Sequence, residues 1–242
     1  MDVNGATALV TGSNRGLGQA LVKALLDRGA ARVYAAARGV GSLAPVVALD
    51  PKRVIPLSLD VAIREQIAAL PKQVPDVRLL INNAGVLDFG SAFDVSLDAL
   101  DRSLAVNFYG PLLMARALAP IMETNGGGAI VNVLSFVAMA SRPAVASYSA
   151  SKAASWSMTQ SLRASLDGRA IAVHGVFPGP IDTEMATTAE IPLAKTSPAD
   201  VANAILDGIA AGKEDIFPDP WSASVYEAWR TDHKAVERQF AA

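Results

Sequence analysis

Ala6-Thr7-Ala8-Leu9-Val10-Thr11-Gly12-Ser13-Asn14-Arg15-Gly16-Leu17-Gly18 decides the fold of this chain. Residues 6–10 are a short apolar run of strand length. The helix expected at 16–28 carries Leu17, Ala20, Leu21, Ala24 and Leu25 on one stripe. Strand, glycine-rich turn and helix form the front of a dinucleotide-binding unit. Free backbone N–H groups and the positive end of the helix dipole suit a pyrophosphate at Gly12, Ser13, Asn14, Arg15, Gly16, Leu17 and Gly18. The spacing is G-x3-G-x-G rather than G-x-G-x-x-G, and glycines also close ordinary βα turns.

Outward from this unit, short apolar runs alternate with helical patterns almost to the end. Strands are expected at 6–10, 32–36, 53–57, 77–81, 129–134, 170–177 and 216–217. Helices are expected at 16–28, 62–70, 97–123, 147–167 and 198–211, with one more in the tail at 223–240. Strands rich in Val, Ile and Ala without alternation suit a parallel sheet covered on both faces. The expected architecture is therefore α/β: a single-domain, doubly wound Rossmann fold over residues 1–242, its seven-stranded and mostly parallel sheet binding nucleotide at the carboxyl ends of the strands. Gly126-Gly127-Gly128 reads as a helix stop. The less regular stretch 178–197 follows a strand end and is either a substrate lid, at 180–197, or a plain surface loop.

The 242 residues carry 51% apolar and 18% charged side chains and a net charge of −2. That gives no electrostatic reason to expect nucleic acid or an anionic membrane as partner. There is no cysteine, which excludes disulfides and cysteine-ligated metal. No apolar run reaches membrane-spanning length, and the N-terminus lacks a basic-then-apolar signal, so a cytoplasmic location is expected. His174 lies in an apolar strand and His233 in a charged terminal helix. Two separated histidines make a poor metal site, and none is expected.

A second constellation lies in the C-terminal half. Tyr148 and Lys152 are four residues apart and share a helix face, and Ser135 precedes the tyrosine by 13 residues. A nearby cation favours the phenolate and so lowers a tyrosine pKa, which fits the phenol to exchange a proton with an alcohol or carbonyl oxygen. Ser135 can hold that oxygen. Alone, such a Tyr/Lys pair is more often a solvated helix face.

Taken together, these segments resemble the short-chain dehydrogenase/reductase family over nearly the whole chain. Thr11–Gly18 is similar to its T-G-x3-G-x-G cofactor motif, and Asn82-Asn83-Ala84-Gly85 to its N-N-A-G motif. Asn107, Ser135, Tyr148 and Lys152 match its catalytic tetrad in order and approximate spacing, and Pro178-Gly179 followed by Ile181 and Thr183 resembles the segment that covers the nicotinamide. Leu134 stands where many members have a second serine. Read alone, Asn107 is more often a helix kink or a polar packing residue, and Asn82 and Asn83 fit ordinary turn residues after a strand; register with the family reverses both readings.

The resemblance implies reversible hydride transfer between a nicotinamide and a small-molecule carbonyl or alcohol. Tyr148 would be the general acid/base, Lys152 a ligand of the nicotinamide ribose, and Asn107 the holder of a relay water. It also implies an adenine contact at Asp60-Val61, although Asp60 equally reads as a helix cap, and a homotetramer or homodimer built on the two long helices. The cofactor expected is NADP(H). The second strand ends Ala35-Ala36-Ala37-Arg38 without the carboxylate that would bind the ribose 2′-OH of NAD, while Arg38 and Arg15 suit a 2′-phosphate. Leu87, Phe89, Phe136 and Val137, with Met185 in the possible lid, are the expected substrate pocket, or else ordinary core. A non-catalytic NADPH-binding sensor on the same fold is the alternative.

Overall fold

The computed structural model describes residues 1–188 and 194–241. In chain order these form β1 (Thr7–Thr11), α1 (Gly16–Asp27), β2 (Arg32–Ala37), a 3₁₀ turn (Val40–Leu43), α2 (Ala44–Val47), β3 (Val54–Ser58), α3 (Arg64–Gln73), β4 (Leu79–Asn82), α4 (Leu97–Leu104), a π turn (Ala105–Tyr109) and α5 (Gly110–Thr124). There follow β5 (Gly128–Val133), a 3₁₀ turn (Phe136–Ala138), α6 (Ala146–Ser165), β6 (Ile171–Val176), α7 (Glu184–Thr188), α8 (Pro198–Ala210), β7 (Asp215–Ile216), α9 (Pro220–Thr231) and α10 (His233–Ala241).

The seven strands form one sheet in the order β3-β2-β1-β4-β5-β6-β7, with every pairing parallel. Strand alternation sorts the apolar side chains onto two faces. Ala8, Val10, Val33, Ala35, Leu79, Ile81 and Val131 pack beneath α1, α2 and α8. Leu9, Tyr34, Ala36, Leu80 and Ile130 pack against α3 and α5. Pro56 is tolerated within β3 because β3 is an edge strand. The chain reverses its direction across the sheet between β1 and β4, and the crevice outside their carboxyl ends is where such sheets bind nucleotides.

The expected strands lie within two residues of those observed, and the sheet is wholly rather than mostly parallel. Four differences have physical causes. The short turns from Val40 to Val47 were not expected, being too brief for a helical period to register. Helix α3 runs past Pro71 to Gln73, because Pro71 removes one ladder bond without preventing a last turn. The single tail helix expected at 223–240 is two helices. Asp232 leaves helical geometry, and its carboxylate accepts the Ala235 N–H to start α10. The fourth concerns the long helix. α4, the π turn and α5 run on as one helix of 28 residues, Leu97–Thr124, whose most apolar stretch has a mean hydropathy of 1.3. By length and composition it qualifies as a membrane span, contrary to the sequence expectation. Its Met114, Leu118 and Met122 are nevertheless fully buried against the sheet, as a core helix requires.

The possible lid at 180–197 is only partly described, since 189–193 lie outside the described residues. Its base is closed by a bridge between Ile181 and Thr196, with Asp182 N–H donating to Thr196 O at 2.9 Å and Thr196 N–H to Pro180 O at 3.0 Å.

Candidate active site

The glycine turn and the loop after β4 are tied into one unit. Thr11 Oγ1 accepts from Asn83 N–H at 3.0 Å and Ala84 N–H at 2.9 Å. Asn83 Nδ2 donates back to Thr11 O at 2.9 Å and Gly12 O at 3.2 Å. The chain passes so closely here that a Cβ on Gly18 would lie 2.1 Å from Gly12 O, and Gly12 itself has φ +65, a conformation that favours glycine. Among the described residues no side chain caps the start of α1, so its first N–H groups are available to an anion.

These residues line a cavity of about 1000 Å³ across the carboxyl ends of the strands, at the upper end of the range for ligand pockets. Gly12, Asn14 to Gly18, Arg38, Asp60, Val61 and Asn83 to Gly85 form one end, and Ser135, Tyr148 and Lys152 the other, with Pro178, Gly179, Ile181 and Thr183 alongside. The residues present fit a dinucleotide: a helix start without a side-chain cap, a closely packed glycine turn and a cation at Arg38 line the same cavity. Ser13 alone of the expected turn residues points away, its fully buried hydroxyl donating to Val10 O at 2.5 Å. Asp60 does not cap α3. Its Oδ1 accepts from Ala62 N–H at 2.9 Å, and Ile63 is the capping residue.

Residues 6–192 match the family model for short chain dehydrogenases. The chain belongs to the short-chain dehydrogenase/reductase family. The chain is 34% identical to a sorbitol dehydrogenase of Cereibacter sphaeroides over 194 residues, covering 76% of this chain and 73% of that one. A short chain dehydrogenase from Burkholderia cenocepacia, solved in complex with NADP, superposes over 100% of both chains with a TM-score of 0.92 and 37% identity. A relative from Burkholderia phymatum, solved with NAD, covers 99% of this chain and 96% of its own at a TM-score of 0.87 and 25% identity. The family comprises nicotinamide-dependent oxidoreductases of small-molecule alcohols and carbonyls.

The four positions that match the family's tetrad are supplied by three elements. Ser135 follows β5, and its Oγ accepts from Val137 N–H at 3.4 Å. Tyr148 and Lys152 lie on the first turns of α6. Lys152 is buried, donates to Val133 O at 2.7 Å and sits 5.6 Å from the centre of the Tyr148 ring. Asn107 occupies the π turn, a local widening common at functional sites. Its Oδ1 accepts from Val86 N–H at 3.0 Å, and its Nδ2 donates to Val86 O and Ser151 Oγ, each at 2.9 Å. Both amide hydrogens are thereby taken, so any water contact falls to a remaining lone pair or the backbone. A Cβ placed on Gly85 would lie 3.4 Å from Asn107 Oδ1 and 3.8 Å from Lys152 Nζ, so the loop after β4 passes between them.

The electrostatics differ from the sequence expectation that Lys152 lowers the Tyr148 pKa. Burial pushes the phenol up to about 12, and its hydrogen bond with Ser135 pulls only partly the other way. Burial likewise pushes the Lys152 ammonium down to about 8. The ammonium lies over the ring, 5.6 Å from its centre, and desolvation is the larger effect on the phenol.

A stability consequence follows for the cofactor-free protein. Between pH 8 and the unfolded value of 10.5 the unfolded chain holds the Lys152 proton and the folded chain does not, so this group makes folding more favourable as pH rises. Relative to Lys152→Met, wild type is expected to gain about 2 kcal/mol between pH 8 and 9.5, from 1.36 kcal/mol per pKa unit. Urea unfolding of both proteins at the two pH values measures it, and parallel behaviour would show that Lys152 titrates normally.

Arg15 is not an unpaired cation: it forms an ion pair with Glu184 of α7. Both side chains are mostly exposed, at 65% and 70%, so the pair is weak and a phosphate can displace it. Arg38 has no ion-pair partner among the described residues. Leu87, Phe89, Phe136, Val137 and Met185 all line the cavity. They differ in kind, since Phe136 is fully buried and packs on Trp221 and Phe240, whereas Phe89 and Met185 are exposed. His174 Nδ1 meets Lys213 O at 2.6 Å, but its buried Nε2 has no partner among the described residues, so the satisfied strand histidine expected is only half satisfied there.

Several cavity residues escaped the sequence reading. Trp221, Gln239 and Phe240 come from the C-terminal helices and close the catalytic end. Asp219 ties them to the segment after β6: its Oδ2 accepts from Gly179 N–H at 2.8 Å and its Oδ1 from Ser222 N–H at 2.8 Å. The aromatic density of the tail was the available signal. A buried chain from Asn82 to Asn132 and on to Thr159, each bond 2.9 Å, joins β4, β5 and α6 beneath the tetrad. No local pattern announces it, because its members are far apart in sequence.

Proposed function

We propose that this dehydrogenase transfers hydride between NADP(H) and a carbonyl or alcohol, with Tyr148 as general acid/base. The observation that carries the reading is the convergence of the Ser135 and Tyr148 hydroxyls and the buried Lys152 ammonium at one end of a cavity whose other end is the uncapped glycine turn. The nicotinamide, when bound, supplies or accepts the hydride. In reduction, the Tyr148 O–H bond breaks and its proton goes to the substrate oxygen as the carbonyl carbon is reduced. A phenol held neutral up to about pH 12 is in the right form for that role. Ser135 donates to the same oxygen and fixes its position. Lys152 keeps a positive charge near the developing phenolate and binds the ribose. Asn107 holds the Val86 backbone, and with it the wall facing the tetrad. In oxidation the proton moves the other way, from the alcohol to the Tyr148 oxygen.

The preference for NADP(H) is supported by Arg38 at the end of β2, without a carboxylate beside it. Arg38→Ala is expected to weaken NADPH binding about 10–100-fold, the worth of a charge-assisted hydrogen bond, and to leave NADH binding nearly unchanged. Titration of both cofactors by fluorescence decides it, and equal losses for the two would refute the assignment. The assay that tests the whole reading is NADPH oxidation at 340 nm over ketones, aldehydes, quinones and cyclic imines.

A further inference from the structure

Four arginines line the cavity: Arg15, Arg38, Arg102 and Arg142. Two are neutralised, Arg15 by Glu184 and Arg102 by Asp88 through both its Nε and its Nη2. Arg38 belongs to the glycine-turn end of the cavity. Arg142 lies at the catalytic end, is half-buried, and its guanidinium has no ion pair or hydrogen bond among the described residues.

Its backbone is firmly held. Arg142 N–H donates to Ser149 Oγ at 3.4 Å, next to Tyr148 on α6, and Val145 N–H closes the turn onto Arg142 O at 3.1 Å. The far side of that turn is stitched to the wall bearing Phe89: Gly90 N–H donates to Ala144 O at 2.9 Å and Ala146 N–H to Gly90 O at 3.2 Å. The half-buried guanidinium shares the cavity wall with the apolar Leu87, Phe89 and Val137, and no counter-charge meets it among the described residues. Its planar fork matches a carboxylate.

We propose that Arg142 is the specificity-determining residue for an anionic group on the substrate: a ketone or alcohol with an apolar body and a carboxylate. This rests on the reading of the cavity as an oxidoreductase site. The apolar body lies against Leu87, Phe89 and Val137, its carboxylate meets Arg142, and its carbonyl faces Tyr148.

The test is calorimetric titration of the NADP+-saturated protein with 4-acetylbenzoate and with its uncharged methyl ester. Wild type is expected to bind the acid about 10–100-fold more tightly than the ester, as one charge-assisted fork commands. Arg142→Gln is expected to erase that difference while keeping the ester and NADP+ affinities, and Arg142→Lys to restore part of it. Equal affinities in wild type, no binding of either compound, equal weakening of both by Arg142→Gln, or an acid preference that survives the substitution would each overturn the proposal. NADPH-dependent reduction of the ester reports separately on the chemistry. An acid preference that depends on Arg142 without any reduction would leave the specificity role standing and remove the catalytic one, and reduction of the ester without an acid preference would do the reverse.

Discussion

Tyr148→Phe is expected to lower kcat about 10²–10⁴-fold, the contribution of a positioned general acid, while NADPH affinity changes less than about threefold. The ring is kept, so the contact with the Lys152 ammonium 5.6 Å from its centre persists. The dinucleotide end of the cavity, formed by the glycine turn and Arg38, is untouched. Only the hydroxyl is lost, and with it the proton donor and the partner of Ser135. Stopped-flow or steady-state NADPH oxidation gives kcat, and fluorescence titration gives the cofactor affinity. Turnover that survived unchanged would remove Tyr148 from the chemistry. Loss of NADPH binding in parallel would instead make Tyr148 a structural residue.

Gly18→Ala is expected to have the largest effect on stability of any single methyl group added at the site. The new Cβ would sit 2.1 Å from Gly12 O and 2.7 Å from Asn83 Nδ2. Neither can step aside cheaply, because Asn83 Nδ2 already bonds Thr11 O and Gly12 O, and Gly12 is held at φ +65. Forced overpacking of this kind costs about 3 kcal/mol or more. For a chain of this size that corresponds to roughly 6–12 °C in Tm, read by thermal unfolding. The displaced turn also loses its fit to a pyrophosphate, so NADPH binding should weaken at least about 100-fold, the more so because the helix N–H groups move with it. A Tm and a cofactor affinity both close to wild type would mean that the turn is looser than the contact implies.

The fold and the tetrad were legible in the sequence for different reasons. The fold came from local signals. Thr7–Thr11 and its glycine turn, the apolar strands and the helix periods each report on neighbours a few residues away. The tetrad was legible because Tyr148 and Lys152 share one helix and because the motifs stand in register with a family. What stayed hidden depends on contacts between distant segments. The break at Asp232 escaped because a helix period cannot show a one-residue departure that a side-chain cap then stabilises.

By itself, then, the sequence determined the doubly wound sheet, the dinucleotide end of the cavity and the identities of the reactive side chains, since local propensity and motif spacing carry that information. Only the tertiary structure decided the protonation balance at Tyr148 and Lys152, where burial by surrounding elements outweighs their mutual charge effect. It alone decided which arginines are neutralised, because Arg15 meets Glu184 and Arg102 meets Asp88 through pairings that no local pattern announces, while the Arg142 guanidinium has no partner among the described residues. And it alone brought the C-terminal Trp221 and Phe240 over the catalytic end. Desolvation and charge pairing depend on three-dimensional proximity, which sequence separation does not encode.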